Sequence, residues 1–432
     1  MKRLFSTFLI FVFLVVTVIL WVWAKKYIGE PTPLILGGAQ ISALLAVTLL
    51  SLEYIIATRL RIVEVIFDGL DNAYIAHHII GGFAFVLILT HPLLLIINSI
   101  PSIQGFYTYL LPSSNLAYTF GILALYCYTI ILLVTFYAKI PYSIWATIHK
   151  FIGIPMLLVM IHVLLISSDI SVYPPLAIWI FSLVGIALIS AVYKRFLYRL
   201  LSVKYRYRVS HTRILGEVIE IYMLPVKEKV SFLPGQFIYV RFFRREIGSE
   251  QHPFSISSGI NTDELRISVK MDGDSTWKYM RLESGDEVEL QGPHGKFGES
   301  LLSDQKDAIW VAGGIGITPF LSLLDYESVS TSHRKVSLYY TVKNHNEAVY
   351  ITELAQKALR KNTLRVYPNF SESSGRLEPL KVVQNEGLDR RSLGKMKVFL
   401  CGPSSMMESM TIGFINLGIK PWNIIKEDFY IK

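Results

Sequence analysis

Two apolar stretches of the sequence carry histidines: AHHIIGGFAFVLILTHPLLL (76–95) and IHKFIGIPMLLVMIHVLL (148–165). Each stretch is long enough and apolar enough to cross a bilayer as a helix. An imidazole is costly in a membrane interior unless it has a partner, so such residues are functional candidates by default. The sequence therefore predicts a helical membrane domain organised around four histidines, which are His77, His91, His149 and His162.

The histidines of the first stretch share one face of a helix. The 14-residue step from His77 to His91 is about 40° short of four full turns. His78 competes with His77 as a ligand, but its 13-residue step to His91 leaves it about 140° away from that face. Helical geometry therefore favours His77.

In the second pair, an ideal helix would not bring the two histidines onto one face. His149 and His162 have the less favourable 13-residue spacing. Pro155 lies between them and can kink or unwind the helix enough to correct the facing. Gly81, Gly82 and Gly153 leave room for a flat macrocycle, although small residues also let bare helices approach each other.

Two matched pairs on two spans favour two bis-histidine haem b groups over helix packing or a proton relay. A shared zinc ion is excluded because the members of each pair lie too far apart. Two axial imidazoles fill the coordination sphere of the iron, so these haems should carry electrons rather than bind oxygen directly. At 1.5 Å rise per residue, the two haem levels are about 20 Å apart.

The composition is that of a membrane protein with a soluble back half. The 432 residues are 52% hydrophobic, with a mean hydropathy of +0.44, and charged residues lie mostly after residue 194. The first apolar segment is interpreted as a retained helix because no small-residue cleavage pattern follows it. Six spans are predicted, at 4–24, 34–57, 74–99, 116–138, 144–167 and 174–193.

Positive charges orient these spans in the cell membrane. The loops 100–115 and 168–173 contain no Lys or Arg, whereas the alternate loops and both flanks carry them, so the positive-inside rule predicts cytoplasmic termini. This places His77 and His149 at the starts of their helices near the inner face. Lys25 and Lys26 disagree with the rule. The cations that support it are Lys2, Arg3, Arg59, Arg61, Lys139, Lys194, Arg195 and Arg199.

Charge and cysteine content exclude other classes. The net charge of +9 is interpreted as a cytoplasmic flank rather than as a nucleic-acid interface. With only Cys127 and Cys401, neither a disulfide framework nor a cysteine-ligated zinc site is expected.

The soluble half changes its pattern twice. Short alternating runs separated by Gly and Pro, such as GQFIYVRF and ELRISVKM, predict an antiparallel β-barrel. From about residue 306, buried strands alternate with helices, which predicts a parallel α/β domain. The predicted fold is a multi-domain membrane protein with a six-helix bundle at 1–200, a β-barrel at 201–303 and an α/β domain at 304–432.

Two groups of residues in the barrel suit a flavin. The string HPFS places a proline, an aromatic and a hydroxyl beside a ring system, with a histidine toward the phosphate side. Further along, a lysine and two hydroxyls are candidates for a pyrophosphate, with solvated loop residues as the alternative. The candidates are His252, Pro253, Phe254, Ser255, Lys270, Ser275 and Thr276.

Two turns in the α/β domain suit a dinucleotide. VAGGIGITPF (311–320) is a glycine-rich turn between a strand and a helix, where backbone amides and the helix amino end favour a pyrophosphate. LCGP repeats the strand-then-turn pattern and places a thiol at a strand end, with a core cysteine as the alternative. These residues are Gly313, Gly314, Gly316, Thr318, Pro319, Cys401, Gly402 and Pro403.

Taken in order, the four histidines, HPFSISS, AGGIGITPF and CGP resemble the ferric reductase and NADPH oxidase superfamily, in its compact bacterial form. The resemblance covers nearly the whole chain. It implies a six-helix di-haem domain fused to a ferredoxin-reductase-like module that binds FAD and NADPH, with NADH as the alternative. Lys343 and Arg376 are the candidate partners of the 2′-phosphate.

The resemblance also implies residue roles. Phe254 would flank the isoalloxazine, Ser255 would lie near its reactive nitrogen, and His252 would contact the ribityl-phosphate side. Cys401 would lie near the nicotinamide. Phe429 in KEDFYIK would cover the flavin, with a buried terminal-strand phenylalanine as the alternative, because three residues follow it here. Cys401, Phe429 and Ser255 are therefore the candidate catalytic residues.

The expected function is an NAD(P)H-dependent transmembrane oxidoreductase that reduces dioxygen to superoxide. A ferric-chelate reductase of the same architecture is one alternative. A haem-binding membrane protein or proton channel with a regulatory soluble half is an alternative of another class. The expected partners are the lipid bilayer and a small electron acceptor, with no nucleic acid and no obligate protein subunit.

Overall fold

A computed structural model describes residues 2–100, 102–137, 140, 142–248, 250–272 and 276–428. The chain forms two compact units, Met1–Leu201 and Ser202–Lys432. The first unit is helical, and the second contains both sheets. Lys139, Ser275 and Phe429, which entered the sequence predictions, lie outside the described residues.

The first unit contains six stretches of helix long and apolar enough to cross a membrane, which confirms the predicted bundle. Short helices at Arg61–Phe67, Ile103–Leu110, Asp169–Val172 and Tyr198–Leu201 lie between or after them, together with a π-helical turn at Tyr193–Leu197. The long helices are α1 (Lys2–Ile28), α2 (Leu34–Ile56), α3 (Leu70–Asn98), α4 (Leu116–Tyr137), α5 (Tyr142–His149) with α6 (Gly153–Leu165), and α7 (Pro174–Val192).

The fifth span is broken between its two histidines. A 3₁₀ turn at Lys150–Ile152 separates α5 from α6. Pro155 explains the break, because a proline has no N–H and its ring clashes with the carbonyl four residues earlier, here that of Phe151. The Tyr54 hydroxyl donates to the carbonyl of Ile152 at the end of the break. His149 is therefore the last residue of the short helix α5, and it lies near the amino end of the candidate span Thr147–Leu165, as expected.

The two lysines that disagreed with the charge rule have different surroundings. Lys25 Nζ lies 2.7 Å from Asp169, and the Trp21 indole donates to the same carboxylate at 3.1 Å. Asp169 is buried, so its charge offsets that of Lys25. Lys26 is exposed at the end of α1. The departure of Lys25 from the positive-inside rule thus depends on a contact with a residue 144 positions away in the sequence.

The second unit begins with an antiparallel barrel of six strands in the order β4-β3-β6-β1-β2-β5. An antiparallel bridge from Ile256 to Ile267 joins the end of β4 to β5 and closes the curl. Alternate side chains of the strands fill the interior. The strands are β1 (Lys204–Leu215), β2 (Val218–Pro225), β3 (Phe237–Phe242), β4 (His252–Ser255), β5 (Leu265–Lys270) and β6 (Glu287–His294).

A five-stranded parallel sheet in the order β11-β10-β7-β8-β9 follows, as the sequence predicts. Short helices occur at Phe297–Leu302, Ser371–Ser374, Pro379–Asn385 and Arg390–Leu393. The strands are β7 (Ala308–Gly313), β8 (Val336–Val342), β9 (Leu364–Phe370), β10 (Lys397–Cys401) and β11 (Ile424–Glu427), and the longer helices are α8 (Thr318–Val329), α9 (Ile351–Ala358) and α10 (Ser404–Leu417).

A buried arginine ties the barrel to the parallel domain. Arg266 on β5 donates to Glu220 on β2 at 3.0 Å and to both oxygens of Glu353 on α9 at 2.9 and 3.0 Å. Burial alone would raise the pKa of Glu353, but the hydrogen bonds and charges of Arg266 and Lys357 bring it down to about 2. Three strand and helix elements therefore depend on one guanidinium.

Replacing Arg266 by alanine should destabilise the second unit by about 3–5 kcal/mol, because the buried carboxylate of Glu220 loses its charged partner and keeps only the Tyr222 hydroxyl. Thermal unfolding of the purified full chain, followed by flavin fluorescence, measures the effect. The control is Arg208→Ala, which removes an exposed pair with Glu287 at 3.9 Å and should cost little. Equal melting temperatures for the two variants would contradict the role of Arg266.

Candidate functional site

The outer histidines of the two spans each have one ring nitrogen committed to a backbone carbonyl. His91 Nδ1 lies 2.8 Å from the carbonyl oxygen of Ala39 on α2, and His162 Nδ1 lies 2.7 Å from that of Ala117 on α4. A donating Nδ1–H fixes the tautomer and leaves Nε2 with its lone pair available. These contacts are the ones that metal-binding histidines make, so both rings suit axial ligation.

The inner histidines face each other. The ring centroids of His77 and His149 are 6.4 Å apart, with the ring planes at 82°. Imidazoles on opposite sides of one metal ion, each with a metal–nitrogen bond of about 2 Å, have a centroid separation of about this size. The His149 ring also stacks on Trp145 at 5.2 Å. His78 points its ring to an exposed position, 6.0 Å from the ring of His77.

These rings fit a haem better than a bare ion. Among the described residues there is no group of three or more His, Cys, Asp or Glu side chains that could hold a metal ion. Gly121 on α4 also approaches the outer pair, since a Cβ there would lie 2.8 Å from His162 Nδ1. The helices thus leave each histidine pair as a two-ligand site, which a macrocycle would complete.

The flavin candidates lie on β4, at the edge of the barrel sheet. Ser255 pairs with Phe237 of β3, and its buried hydroxyl has no hydrogen-bond partner among the described residues. Such an orphaned hydroxyl indicates a ligand atom that completes it. Phe254 packs edge-on against Tyr279, and Pro253 is exposed. The strand therefore presents a hydroxyl and an aromatic ring, as a flavin requires.

His252 is a neutral rather than a cationic contact. Burial lowers its pKa, the charge of Glu250 opposes that shift, and Lys278 adds to it. Its Nε2 lies 3.6 Å from a Glu250 carboxylate oxygen. At neutral pH it would therefore hydrogen-bond a phosphate instead of pairing with it by charge.

A cavity of about 280 Å³ brings two predicted groups together. Lys270, at the end of β5, and Gly314, in the glycine-rich turn, both line it, with Asn344 and Glu347 on the far side. Lys270 Nζ also lies 3.6 Å from Glu217. Thr276 lies elsewhere, and its hydroxyl donates to the carbonyl of Asp272 at 3.1 Å. Lys270 thus shares a cavity with the glycine-rich turn.

Glycines allow the two dinucleotide turns to touch. A Cβ on Gly316 would lie 2.4 Å from the carbonyl oxygen of Cys401, and one on Gly402 would lie 2.9 Å from Gly313 Cα. Gly314 has φ of +55° and nothing within 4 Å of its would-be Cβ, so its backbone is open for close approach. The carboxyl ends of β7 and β10 therefore meet at one point.

The flanking residues of these turns are structural. The buried Thr318 hydroxyl donates to the Ile315 carbonyl at 3.0 Å, and Pro319 occupies the first turn of α8. Pro403 packs against Gly313, where a Cβ would come within 2.9 Å of its ring. Both residues hold the backbone of the turns.

Cys401 is a protonated thiol at the end of β10. It is fully buried, and burial raises its pKa well above the ordinary value, with the carboxylates of Glu427 and Asp428 adding to the shift. It is therefore poorly suited to nucleophilic attack. Glu427 pairs in register with Cys401, and its carboxylate also approaches Gly295 beside Phe237. It connects the thiol with the strand that pairs with Ser255.

The two basic candidates for a 2′-phosphate follow neighbouring strands. Lys343 comes after β8 and Arg376 comes shortly after β9, and both side chains are exposed. Lys343 Nζ lies 3.8 Å from Glu347, and Asn344 donates to the carboxylate of Glu372 at 3.3 Å. Cations and carboxylates therefore share this edge of the sheet.

Sequence reasoning missed several residues of these sites. Tyr340, Tyr350 and Glu217 line the cavity with Lys270, and His294 packs near Phe237. The signal for His294 was the short GPHG string at the end of β6. The cavity residues come from separate strands and loops, so no local sequence pattern predicts them.

Three family models match successive parts of the chain. A ferric reductase like transmembrane component matches residues 42–161, an FAD-binding domain matches 203–296, and an oxidoreductase NAD-binding domain matches 310–411. The matched ranges follow the order of the two units and of the barrel and parallel sheet within the second.

Curated relatives match about half of the chain. Flavohemoprotein A of Dictyostelium discoideum is 28% identical over 50% of this chain and 57% of its own length. The toluate 1,2-dioxygenase electron transfer component of Pseudomonas putida is 28% identical over 52% of this chain and 67% of its own length. The chain thus spans only about six tenths of the length of such relatives.

A solved structure is similar over most of the chain. The flavohemoglobin of Malassezia yamatoensis, with bound FAD and heme, aligns over 90% of this chain and 96% of its own with a TM-score of 0.53. At 17% identity this likeness concerns the fold alone. The three family models together match the succession of a ferric reductase like transmembrane component, an FAD-binding domain and an oxidoreductase NAD-binding domain, which is an architecture similar to that of ferric reductases and NADPH oxidases, on a chain with six helices long and apolar enough to cross a membrane.

Proposed function

We propose that the chain transfers electrons from NADPH in the cytoplasm to dioxygen on the other side of the cell membrane. When bound, FAD takes a hydride and releases single electrons, which two haems b carry across the bilayer. The observation that carries the proposal is the placement of four imidazoles at two depths, with His77 facing His149 and both outer rings fixed by backbone carbonyls.

The residues of the second unit would hold and align the donors. The free hydroxyl of Ser255 would donate to the flavin ring, and Phe254 would lie beside it. The backbone of the glycine turn and Lys270 would hold the pyrophosphate of the nucleotide. The buried thiol of Cys401 would contact the nicotinamide as a neutral group, and Phe429 would cover the flavin.

The nucleotide proposed is NADPH. Lys343 and Arg376 both follow the carboxyl ends of adjacent parallel strands, where a 2′-phosphate is read in such folds. Glu347 and Glu372 lie at the same edge and would instead accept a ribose hydroxyl. NADH is therefore the second candidate.

The charge of the outer side favours a neutral acceptor. No Lys, Arg, Asp or Glu occurs between Asn72 and Ala138, which includes the loop from Ser99 to Asn115. The charge of Lys25 is offset by Asp169. Anionic ferric chelates would be concentrated only by a positive field. Dioxygen needs no such field, so superoxide formation is preferred over ferric-chelate reduction.

The same charges support the proposed orientation. Arg59, Arg61 and Lys194 lie at the ends of helices opposite to the uncharged loop. With the exception at Lys25 neutralised, the remaining disagreement is Lys26. Both termini are therefore assigned to the cytoplasm.

Removal of a ligand should remove one haem. His91→Ala or His162→Ala should reduce haem content from two per chain to one and abolish anaerobic electron delivery to an external acceptor. Haem absorbance after addition of FAD and NADPH without oxygen measures both effects. His78→Ala is the matched control and should keep two haems. Full haem content in the His91 and His162 variants would contradict the proposed route.

Gly316→Ala should lower kcat/KM for NADPH at least tenfold, because its Cβ collides with the Cys401 carbonyl and moves the turn. Reduction of ferricyanide by the FAD-loaded protein measures this, and flavin content should not change. Gly387→Ala is the control, since it lies outside the turn, its Cβ meets no atom within 4 Å and only its positive φ costs about 1–2 kcal/mol. Unchanged kinetics for Gly316→Ala would remove the nucleotide from this turn.

The acceptor is tested by competition. In air, NADPH oxidation should produce superoxide, detected as cytochrome c reduction that superoxide dismutase abolishes. Ferric citrate added at the same concentration as oxygen should take a minor share of the electrons. A dominant yield of ferrous iron would assign the chain to the chelate reductases. Absence of any nucleotide-dependent haem reduction would favour a haem-binding protein or channel with a regulatory soluble half.

A further inference from the structure

Residues at equivalent positions of α2 face the two histidines of α3. His91 Nδ1 lies 2.8 Å from the Ala39 carbonyl, and His77 Nδ1 lies 3.7 Å from Glu53 Oε1. Ala39 and Glu53 are separated by 14 residues on α2, as His77 and His91 are on α3. In two antiparallel helices, equal separations keep the facing pairs in register. The inner histidine therefore faces a carboxyl where the outer one faces an alanine.

A notch in α3 receives that carboxyl. An ideal Cβ on Gly81 would lie 2.4 Å from Glu53 Oε1, whereas one on the neighbouring Gly82 would meet no atom within 4 Å. Gly81 is four residues after His77 and so lies on the same face of the helix. Glu53 is only 9% exposed. The carboxyl is thus seated beside the His77 ring by the absence of one side chain.

Glu53 is unusual in its surroundings. It is the single acidic residue in the six candidate spans that the described residues define. A carboxyl in a bilayer interior is costly and marks a functional position unless a partner offsets it. The side chain nearest to it in an ion-pair geometry is His77.

His77 in turn lacks a partner for its buried Nδ1 among the described residues. A histidine that binds a metal almost always donates its other N–H to a carboxylate, a carbonyl or water. The outer rings have carbonyls for this purpose. The backbone carbonyl of Glu53 also lies near His77, and it accepts from Ala57 N–H at 2.9 Å. The Glu53 carboxyl, with Oε1 3.7 Å from His77 Nδ1, is the side-chain acceptor within reach.

We propose that Glu53 is a positioning residue for His77: it accepts the Nδ1–H hydrogen bond and directs Nε2 toward the iron of the inner haem. This rests on the proposed function, in which His77 is an axial ligand. An ionised Glu53 carboxyl would be a stronger acceptor than a carbonyl and would make the imidazole a more basic ligand. Such a ligand would favour ferric iron, so Glu53 would lower the potential of the inner haem.

The test is a spectroelectrochemical titration of the purified holoprotein at fixed pH. Glu53→Gln keeps the shape and a weaker acceptor, so both haems should remain. At a given potential, the ratio of reduced to oxidised inner haem should rise at least tenfold, which is 59 mV for a one-electron couple. The outer haem should not move. Electron paramagnetic resonance of the oxidised protein should show a changed signal for the inner haem alone.

Two glycine variants separate this role from a general effect on folding. Gly81→Ala keeps the carboxyl but expels it from the notch, so the inner haem should shift in the same direction as in Glu53→Gln. Gly82→Ala adds the same methyl to the same helix in open space and should leave both potentials unchanged. If Glu53→Gln loses its haem altogether, the haem potentials of Gly81→Ala and Gly82→Ala decide between a positioning role and a general effect on folding.

Several outcomes overturn the proposal. Wild-type potentials and spectra in both Glu53→Gln and Gly81→Ala would mean that the Glu53 carbonyl or water orients His77. Equal shifts of both haems would mean a global change. Retention of both haems in His77→Ala would instead refute the proposed function, because His77 would not be a ligand at all.

Discussion

A buried imidazole nitrogen needs a hydrogen-bond partner, and His91 and His162 each find one on a neighbouring helix of the membrane unit. One nitrogen is available for a metal, so the other needs an acceptor from a neighbouring helix. Ala39 on α2 and Ala117 on α4 supply carbonyls for the outer histidines. The helices that flank the ligand-bearing spans are thus part of the ligand sites. Their register against α3 and α6 follows from where those acceptors must lie.

In the second unit the corresponding constraint is the approach of two backbones. The ends of β7 and β10 come so close at Gly313, Gly316 and Gly402 that side chains are excluded. Cys401 is buried at the same point, and Glu427 of β11 lies alongside it. Arg266 connects the barrel strand β5 to α9 of the parallel domain. The flavin strand and the dinucleotide turns are therefore carried by one compact body.

The fold follows from the sequence because its signals are periodic and local. Apolar runs predict the six spans to within about one helical turn, and the change from alternating to buried strands predicts the two sheets. The family models match the predicted succession of a ferric reductase like transmembrane component, an FAD-binding domain and an NAD-binding domain. The site residues, the haems, the domain limit near residue 303 and the acceptor stay predictions.

Contacts between residues that are distant in the sequence could not be predicted from it. The pairing of Lys25 with Asp169 removes a conflict in the charge pattern that the sequence alone could not resolve. Lys270 lines a cavity together with Gly314 of the glycine-rich turn, a neighbour that its position in the sequence does not indicate. The fifth span carries a 3₁₀ turn at Lys150–Ile152, before Pro155, so His149 ends a short helix near the amino end of the span. Each difference comes from tertiary packing, to which local patterns are blind.

The two ligand-bearing spans differ mechanically. From His77 to His91 α3 is one continuous rod, so the separation of its two rings along the membrane normal is a fixed length of about 20 Å. The fifth span is jointed at Lys150–Ile152, between His149 and His162. One histidine-bearing span is thus a continuous helix, and the other contains a 3₁₀ turn between its two histidines. In the proposed function, α3 would set the distance between the two haems, and the 3₁₀ turn would let His149 and His162 each align with its own haem.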